Sequence, residues 1–288
     1  RYISVTGVQT CALPIYISWS INIAADQYFA NTVMMLSANS STQTSSFVTD
    51  NSNNNSLLTV VGDTRAQSFT PYQPGYYSNQ FDGSTGYLTV PSNASLSLGA
   101  GDFTIEAWIY TTIANQTYGS GIIGTYDGAS NGGWSLIINR STGGPYGIAF
   151  IHANAIQQSY ATYLTLNTWH HIAITRTSGT LKTFLDGVQV ATGTYTTTDS
   201  VSATCYIGSQ GVGQYHTGYI SNARVIKGIS LYSANFTPIT TPLLPITSTS
   251  LLTCQSNRFV DNGPNNLTLT VNGTVKASSA VQIGRAHV

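Results

Sequence analysis

Short runs in which apolar and polar residues alternate recur along the chain, and they predict β-strands separated by turns. The clearest run covers residues 103–110, where four apolar residues at every second position share one face, since successive strand residues point to opposite sides. The opposite face carries Glu106 and Trp108. A strand with large side chains on both faces is typical of the middle of a sheet that is covered on both sides.

The same kind of pattern predicts further strands, and no segment has the apolar spacing of a helix. Shorter predicted strands cover residues 87–90, 121–124, 134–138, 169–175, 205–207 and 218–226. Asp186 and Gly187 separate two further predicted strands. This pair is typical of a two-residue type I′ hairpin turn, which needs positive φ at both positions. The sequence therefore predicts an all-β protein.

The composition agrees with this fold class and excludes several functions. Charged residues make up 7% of the chain, with ten basic and ten acidic residues and a net charge of zero. A neutral chain without a basic cluster argues against nucleic-acid binding. No apolar run approaches the roughly 18 residues of a transmembrane helix, which argues against membrane insertion.

Both ends of the sequence match the translation of a common sequencing adapter. Residues 5–15 match it in one direction, and residues 283–288 match it read outward. We therefore expect residues 1–15 and 283–288 to be adapter artefacts, and the chain to be a metagenomic fragment of a longer protein. Residues 16–32 are predicted to be a linker.

An internal repeat indicates the domain organisation. Residues 47–62 align with residues 259–273, and with one gap ten of the fifteen aligned pairs are identical. We expect residues 33–245 to form one domain and residues 246–282 to be the truncated start of a second, tandem repeat. The alternative is that both segments are merely Asn-rich loops.

Six motifs in the middle of the chain occur in the order typical of one family. They cover residues 81–91, 103–108, 167–173, 184–190, 206–208 and 218–225. In this order they resemble the laminin-G-like, concanavalin A-like jelly-roll domains, and the flanking segments resemble tandem versions from environmental phage and bacterial proteins. The resemblance implies a two-sheet antiparallel jelly-roll sandwich. It also implies adhesion at an extracellular or virion surface.

Some relatives of this kind bind calcium, but this chain lacks most of the carboxylates that the resemblance implies. Gly86 and the pair Ser221 and Asn222 stand where many members have acidic residues. Calcium requires several hard oxygen ligands, and the two carboxylates of Asp82 and Asp127 supply few of them. We expect no cofactor, although calcium stays open, and interpret Asp82 as a turn residue bonded to its own backbone.

The same superfamily includes glucanases, so hydrolysis has to be considered. Retaining glycosidases need two carboxyl groups about 5–5.5 Å apart, whereas Asp102 and Glu106 would lie about 13 Å apart on one strand. We predict that the chain is not an enzyme. Glu106 is expected to pair with Arg224, because a charge on a central strand is costly without a partner.

His170 and His171 could be taken for a metal-binding pair. Adjacent strand residues point to opposite faces, so we predict that one is satisfied in the core and the other exposed.

Two loops combine aromatic rings with planar polar groups, which suits the apolar faces and hydroxyl groups of sugars. The candidate ligand-binding residues are Tyr126, Asp127, Asn131 and Trp134 in the first loop, and Gln210, Gln214, Tyr215 and His216 in the second. Gly, Asn and Asp also suit ordinary turns, so both loops could be plain connectors. Trp134 fits the role of a core anchor equally well.

The leading hypothesis is a non-catalytic carbohydrate-binding and adhesion module, a lectin-like part of a larger phage tail or cell-surface protein. Its expected partners are glycans and neighbouring repeats of the same chain. The first alternative is a structural spacer domain of a virion or surface protein, and the second is a glycoside hydrolase of the same fold.

Overall fold

The structure, a computed structural model, describes most of the chain between residues 77 and 278. The described ranges are 36–38, 48–50, 69–70, 77–126, 132–199, 202–211, 213–278 and 280–281. The predicted linker and both predicted adapter segments lie outside them. The chain forms two compact units, residues 1–65 and 66–288.

The regular secondary structure of the described residues is almost entirely β-strand, and the one described helical element is a short 3₁₀ turn at Ala94–Leu96. In chain order the strands are β1 (Leu36–Ala38), β2 (Val48–Asp50), β3 (Phe69–Thr70), β4 (Ser78–Asp82), β5 (Tyr87–Val90), β6 (Phe103–Thr111), β7 (Ser120–Gly124), β8 (Trp134–Arg140), β9 (Tyr146–His152), β10 (Ala155–Tyr160), β11 (Trp169–Thr177), β12 (Thr180–Leu185), β13 (Val188–Thr194), β14 (Cys205–Ile207), β15 (Thr217–Lys227), β16 (Thr249–Thr253), β17 (Thr270–Asn272), β18 (Lys276–Ser278) and β19 (Ala280–Val281).

Two large sheets form a jelly-roll sandwich in the second unit. The seven-stranded sheet has the order β10-β9-β8-β7-β14-β5-β17, and the eight-stranded sheet has the order β13-β12-β11-β6-β15-β4-β18, with β16 also paired to β15. Every strand pair in these two sheets is antiparallel. The predicted all-β, two-sheet antiparallel fold is confirmed. In the first unit, β1 and β2 form a separate antiparallel pair.

The core lies between the two sheets, and β6 crosses its middle with β11 on one side and β15 on the other. The four alternating apolar residues of β6 are fully buried and belong to the main hydrophobic cluster. They meet residues such as Leu136 and Phe150 from the opposite sheet. The alternation in the sequence therefore correctly predicted that β6 is a central strand with one face in the core.

The hairpin between β12 and β13 also forms where the sequence places it. Asp186 and Gly187 connect the two strands with φ angles of 50° and 80°. Both values lie in the left-handed region that a type I′ turn requires.

The outer face of the eight-stranded sheet is covered by residues 229–246, which we call the covering segment. Its backbone is joined to polar side chains of the sheet. The pairs are Thr104 Oγ1 to Ile229 O at 3.0 Å, Thr175 Oγ1 to Tyr232 O at 3.0 Å, and Leu243 N to Asn222 Oδ1 at 2.7 Å. Thr104 and Glu106 of β6, which point away from the core, are therefore buried as well.

Glu106 lies under the covering segment and is completely buried. Its Oε1 accepts hydrogen bonds from Arg224 Nε at 2.8 Å and Arg224 Nη2 at 2.5 Å. Its Oε2 lies 3.1 Å from His171 Nε2 and accepts from the Tyr232 hydroxyl at 2.7 Å. The predicted pairing of Glu106 with Arg224 is confirmed. Burial alone raises the pKa of Glu106, but the His171 hydrogen bond and the Arg224 charge hold that pKa below its usual range.

The two adjacent histidines point to opposite faces, as predicted, but neither is exposed. His171 packs between Trp108 and Phe236 with ring centroids 5.3 and 5.6 Å away. His170 is 8% exposed, and its Nδ1 lies 2.8 Å from Asp186 Oδ2. The expectation of one exposed histidine was wrong, because each imidazole has a carboxylate partner that compensates its burial.

The sandwich continues beyond the predicted domain boundary at residue 245. β16 pairs with β15, β17 with β5 and β18 with β4, so the second copy of the repeat lies inside this sandwich. Leu251 and Leu252 of β16 are fully buried. The predicted start at residue 33 also differs from the division of the chain, which falls after residue 65. Sequence similarity located the repeat. It could not show whether residues 246–282 begin a second domain or complete the first one.

A chain truncated to residues 1–245 should lose cooperative unfolding, because it lacks β16, β17 and β18 and uncovers β15. Thermal unfolding followed by circular dichroism measures this effect. A chain ending at residue 281 should melt like the full chain. An unchanged melting temperature for the 1–245 chain would instead support the domain boundary at residue 245 that the sequence predicted.

Glu106→Gln should lower the free energy of unfolding by about 3–5 kcal/mol, because Arg224 is left buried without its counter-charge. Denaturant unfolding measures the loss. Asp102→Asn is the matched control, since Asp102 accepts a single exposed hydrogen bond from Ser178 N and should cost about 1 kcal/mol or less. Equal effects of the two substitutions would contradict a central role for Glu106.

Candidate functional site

A cleft of about 200 Å³ lies on the outer face of the seven-stranded sheet and contains residues from both predicted loops. Its lining residues come from four connections and two strands. They are Tyr118, Tyr126, Arg140, Ile151, Asn154, Gln210 and Gln214. Of the eight candidate residues from sequence, the structure thus brings Tyr126, Gln210 and Gln214 together.

The second loop is held in a fixed shape against β7. Gln210 N donates to Gly213 O at 3.0 Å, and Gly121 N of β7 donates to Gln214 O at 2.8 Å. A side chain on Gly121 would overlap the backbone of Ser209, so the close contact between strand and loop requires glycine there. The loop therefore presents Gln210 and Gln214 to the cleft from a rigid base.

Gln210 is the most unusual polar group of the cleft. Its side chain is 4% exposed, and its Nε2 has no hydrogen-bond partner in the part of the chain that the structure describes. A buried donor without a partner costs about 1–3 kcal/mol. Gln210 is also a lining residue of the cleft, so a turn of its side chain toward the cleft would let this donor bond an acceptor bound there.

Tyr126 forms a wall of the cleft rather than an exposed ring. It is 4% exposed and packs on a small cluster with Ile137, Ala149 and Ile151. Its hydroxyl donates to Asn154 Oδ1 at 2.7 Å, which orients the Asn154 amide at the tight turn between β9 and β10. Its contribution to binding would be to position Asn154.

Trp134 and His216 do not reach the cleft. Trp134 is fully buried, and its Nε1 donates to Leu96 O at 2.9 Å. His216 is fully buried, with its ring 6.2 Å from that of Phe81. Both are core residues, which corrects their assignment as ligand-binding candidates.

Tyr215 points away from the cleft and packs beside Tyr87, with ring centroids 6.0 Å apart. Tyr87 also contacts Tyr206 at 6.1 Å. The three rings form a row at partly exposed positions. Asp127 and Asn131, the remaining candidates, lie outside the described residues.

Two prominent residues of the cleft were missed in the sequence. Tyr118 precedes β7 and is 53% exposed, and Arg140 ends β8 with its guanidinium 5.8 Å from the centre of the Tyr118 ring. The available signal was an aromatic residue in the polar segment before Gly119. Their proximity depends on the pairing of β7 with β8 and could not be obtained from spacing alone.

A larger cavity of about 290 Å³ lies within residues 259–269. Phe259, Leu267 and Leu269 line it and also pack against the hydrophobic core. Its one carboxylate, Asp261, accepts backbone hydrogen bonds from residues 252, 263 and 267. This cavity is therefore part of a packed loop whose carboxylate serves the fold.

The Asp82 carboxylate acts as the centre of a turn. Its Oδ1 accepts the backbone N–H groups of Ser84, Thr85 and Gly86 at 2.8–2.9 Å, and its Oδ2 accepts the hydroxyls of Ser84, Thr85 and Thr274. Although burial alone raises the pKa of Asp82, the Thr274 and backbone hydrogen bonds hold that pKa well below its usual range. The interpretation of Asp82 as a turn residue agrees with this geometry.

Among the described residues, those at the positions that the family resemblance implies do not form a calcium site. Ser221 Oγ donates to Tyr77 O, and Asn222 Oδ1 accepts from Leu243 N, so both side chains serve the fold. Asp82 is saturated by six donors. Among the described residues, no three His, Cys, Asp or Glu side chains lie close enough to hold a metal ion.

The carboxylates that the structure describes are each used by the fold. Glu106 faces Arg224, Asp186 bonds His170, and Asp199 accepts from Leu98 N at 2.6 Å. None of the described acidic residues lines the cleft.

The described part of the chain contains no helix of the length and apolarity needed to cross a membrane.

Comparison with known proteins agrees with the fold. The profile of the concanavalin A-like lectin/glucanases superfamily, of laminin-G type, matches residues 82–229. No curated protein is significantly similar in sequence.

Solved structures match this chain to different extents. A candidate carbohydrate-binding protein from Bacteroides ovatus is 17% identical with a TM-score of 0.54, covering 72% of this chain and 60% of its own. A pentraxin from Limulus polyphemus is 13% identical with a TM-score of 0.46, covering 71% and 95%. Domain 4 of an arabinanase from Geobacillus stearothermophilus, solved with arabinotriose, is 14% identical with a TM-score of 0.43, covering 53% and 71%. At these identities the likeness concerns the fold alone, and this chain spans 60% of the length of the Bacteroides protein.

The free energy of unfolding should fall by about 3 kcal/mol between pH 7 and pH 4 through His216 alone. Burial lowers the pKa of His216 from 6.5 to about 4, against the opposing effect of backbone hydrogen bonds at Tyr110 and Tyr219. Below pH 6.5 the unfolded chain therefore binds a proton that the folded chain rejects, so stability decreases as the pH falls to about 4. Denaturant unfolding across this range measures the slope, which His216→Gln should reduce. An equal slope in both chains would contradict the assignment.

Proposed function

The chain belongs to the concanavalin A-like lectin/glucanase superfamily, and we propose that it is a non-catalytic carbohydrate-binding module. The observation that carries the proposal is the cleft itself, in which an exposed tyrosine ring stands beside three side-chain amides. Sugars present apolar C–H faces and rings of hydroxyl groups, so one flat ring with amide donors and acceptors complements both.

The supporting geometry is specific to a small saccharide. Tyr118 offers the exposed aromatic face, while Asn154, Gln210 and Gln214 are the amide residues of the lining. Asn154 is oriented by Tyr126, and Gln214 is held by Gly121, so the polar groups are arranged before a ligand arrives. Such preorganisation reduces the entropic cost of binding.

The wider role follows from the same proposal. The module would act in adhesion as part of a larger surface protein, either a phage tail or a cell-surface protein, with glycans and neighbouring repeats as partners. Repetition would raise the avidity of weak single sites. The proposed location is extracellular or on a virion surface, and binding would not require calcium, in agreement with the hydrogen bonds that occupy Asp82.

Tyr118→Ala should weaken glycan binding about tenfold while leaving the fold intact, because the ring is half exposed and its loss removes one stacking platform. Affinity electrophoresis of the full chain through gels containing arabinan, dextran, polygalacturonate or dextran sulfate measures retention.

Leu244→Ala is the matched control, since it removes an even more exposed apolar side chain, 74% accessible, from the covering segment of the other sheet. It should migrate like the native chain. Retention that survives Tyr118→Ala would place binding elsewhere. Failure of the native chain to bind any polysaccharide, with or without calcium, would favour the structural spacer.

A further inference from the structure

Arg140 occupies a fixed position at the edge of the cleft. It is the last residue of β8, and its Nε donates to Thr142 O at 3.0 Å. The guanidinium carbon lies 5.8 Å from the centre of the Tyr118 ring. The ring and the backbone bond together hold the guanidinium plane, while Nη1 and Nη2 form no hydrogen bond with described residues.

The charge of Arg140 is not neutralised within the described part of the chain. Three other cations there are committed to the fold: Arg224 pairs with Glu106, Arg176 donates to backbone carbonyls, and Lys227 donates to Ala94 O. No ion pair joins Arg140 to a described carboxylate, and none of those carboxylates lines the cleft. Arg140 is therefore the one cation that the described lining presents to a ligand.

The unpaired Gln210 donor lies in the same cleft as this guanidinium. Gln210 Nε2 is buried and without a partner among the described residues, and Arg140 offers N–H donors and no acceptor. A group that fits both must accept several hydrogen bonds and gain from a positive charge. A carboxylate or sulfate oxygen meets these requirements, and charge-assisted bonds of this type are about twice as strong as neutral ones.

On this basis we propose that the cleft recognises an acidic sugar, whose carboxylate or sulfate group is bound by Arg140 and Gln210 while the sugar ring stacks on Tyr118. The proposal rests on the carbohydrate-binding function above and specifies its ligand class. Neutral sugars would use the ring and the amides but would leave the guanidinium charge without a counterpart.

Arg140→Gln in the full chain tests the proposal by affinity electrophoresis. Polygalacturonate carries carboxylates alone and dextran sulfate carries sulfates alone, so the two gels separate the sources of negative charge, and unmodified dextran is the neutral reference. Arg140→Gln should weaken retention by the preferred acidic polymer about ten- to hundredfold. Arg140→Lys should retain part of the affinity, since it keeps the charge but loses the planar donor pair.

Arg258→Gln is the matched control, because it removes the same charge from an exposed site outside the cleft and should bind like the native chain. If Arg140→Gln and Arg258→Gln lose retention by the acidic polymer equally, the effect depends on net charge alone. This result would overturn the proposal. Binding of dextran or arabinan that is insensitive to Arg140→Gln would also overturn it while leaving the carbohydrate-binding function in place. No retention by any polymer would overturn both.

Discussion

The pairing of Glu106 with Arg224 on neighbouring central strands is the interaction on which the rest of the sandwich depends. A carboxylate at the middle of β6 cannot be buried alone, because desolvation of an unpaired charge costs several kcal/mol. Arg224 can reach it only when β15 lies beside β6 in the observed register. Tyr232 and His171 complete the set and fix the covering segment above. Register, sheet order and the shielding of one outer face therefore have a common cause.

The two outer faces of the sandwich consequently differ in what they can do. The face above Glu106 is closed by the covering segment, whose aromatic residues Tyr232 and Phe236 stack with ring centres 3.6 Å apart. The face of the seven-stranded sheet stays accessible around Tyr118 and carries the cleft. Rigid strands thus support a small set of preorganised polar groups on the open side. This division agrees with a module whose task is recognition.

Much of the fold follows from the sequence, and less of the site does. Alternation in β6 and the Asp186–Gly187 turn depend on local physics, and the cost of a buried charge was enough to pair Glu106 with Arg224. The site instead depends on which side chains of a loop point outward, and Gly- and Asn-rich loops give the same signal for a binding surface and for a plain connector. His216 therefore looked available and is buried. Arg140 and Tyr118 meet only because β7 pairs with β8.

The absence of a side chain at Gly121 has a practical meaning for the design of new specificities. Gly121 N donates to the backbone oxygen of Gln214, so this bond does not depend on which side chain stands at position 214. The other residues of the segment 210–214 could be exchanged while Gly121, its bond to the loop and Gly211, whose φ of 66° favours glycine, are kept. The sandwich would then serve as a scaffold on which variants of one recognition loop can be selected.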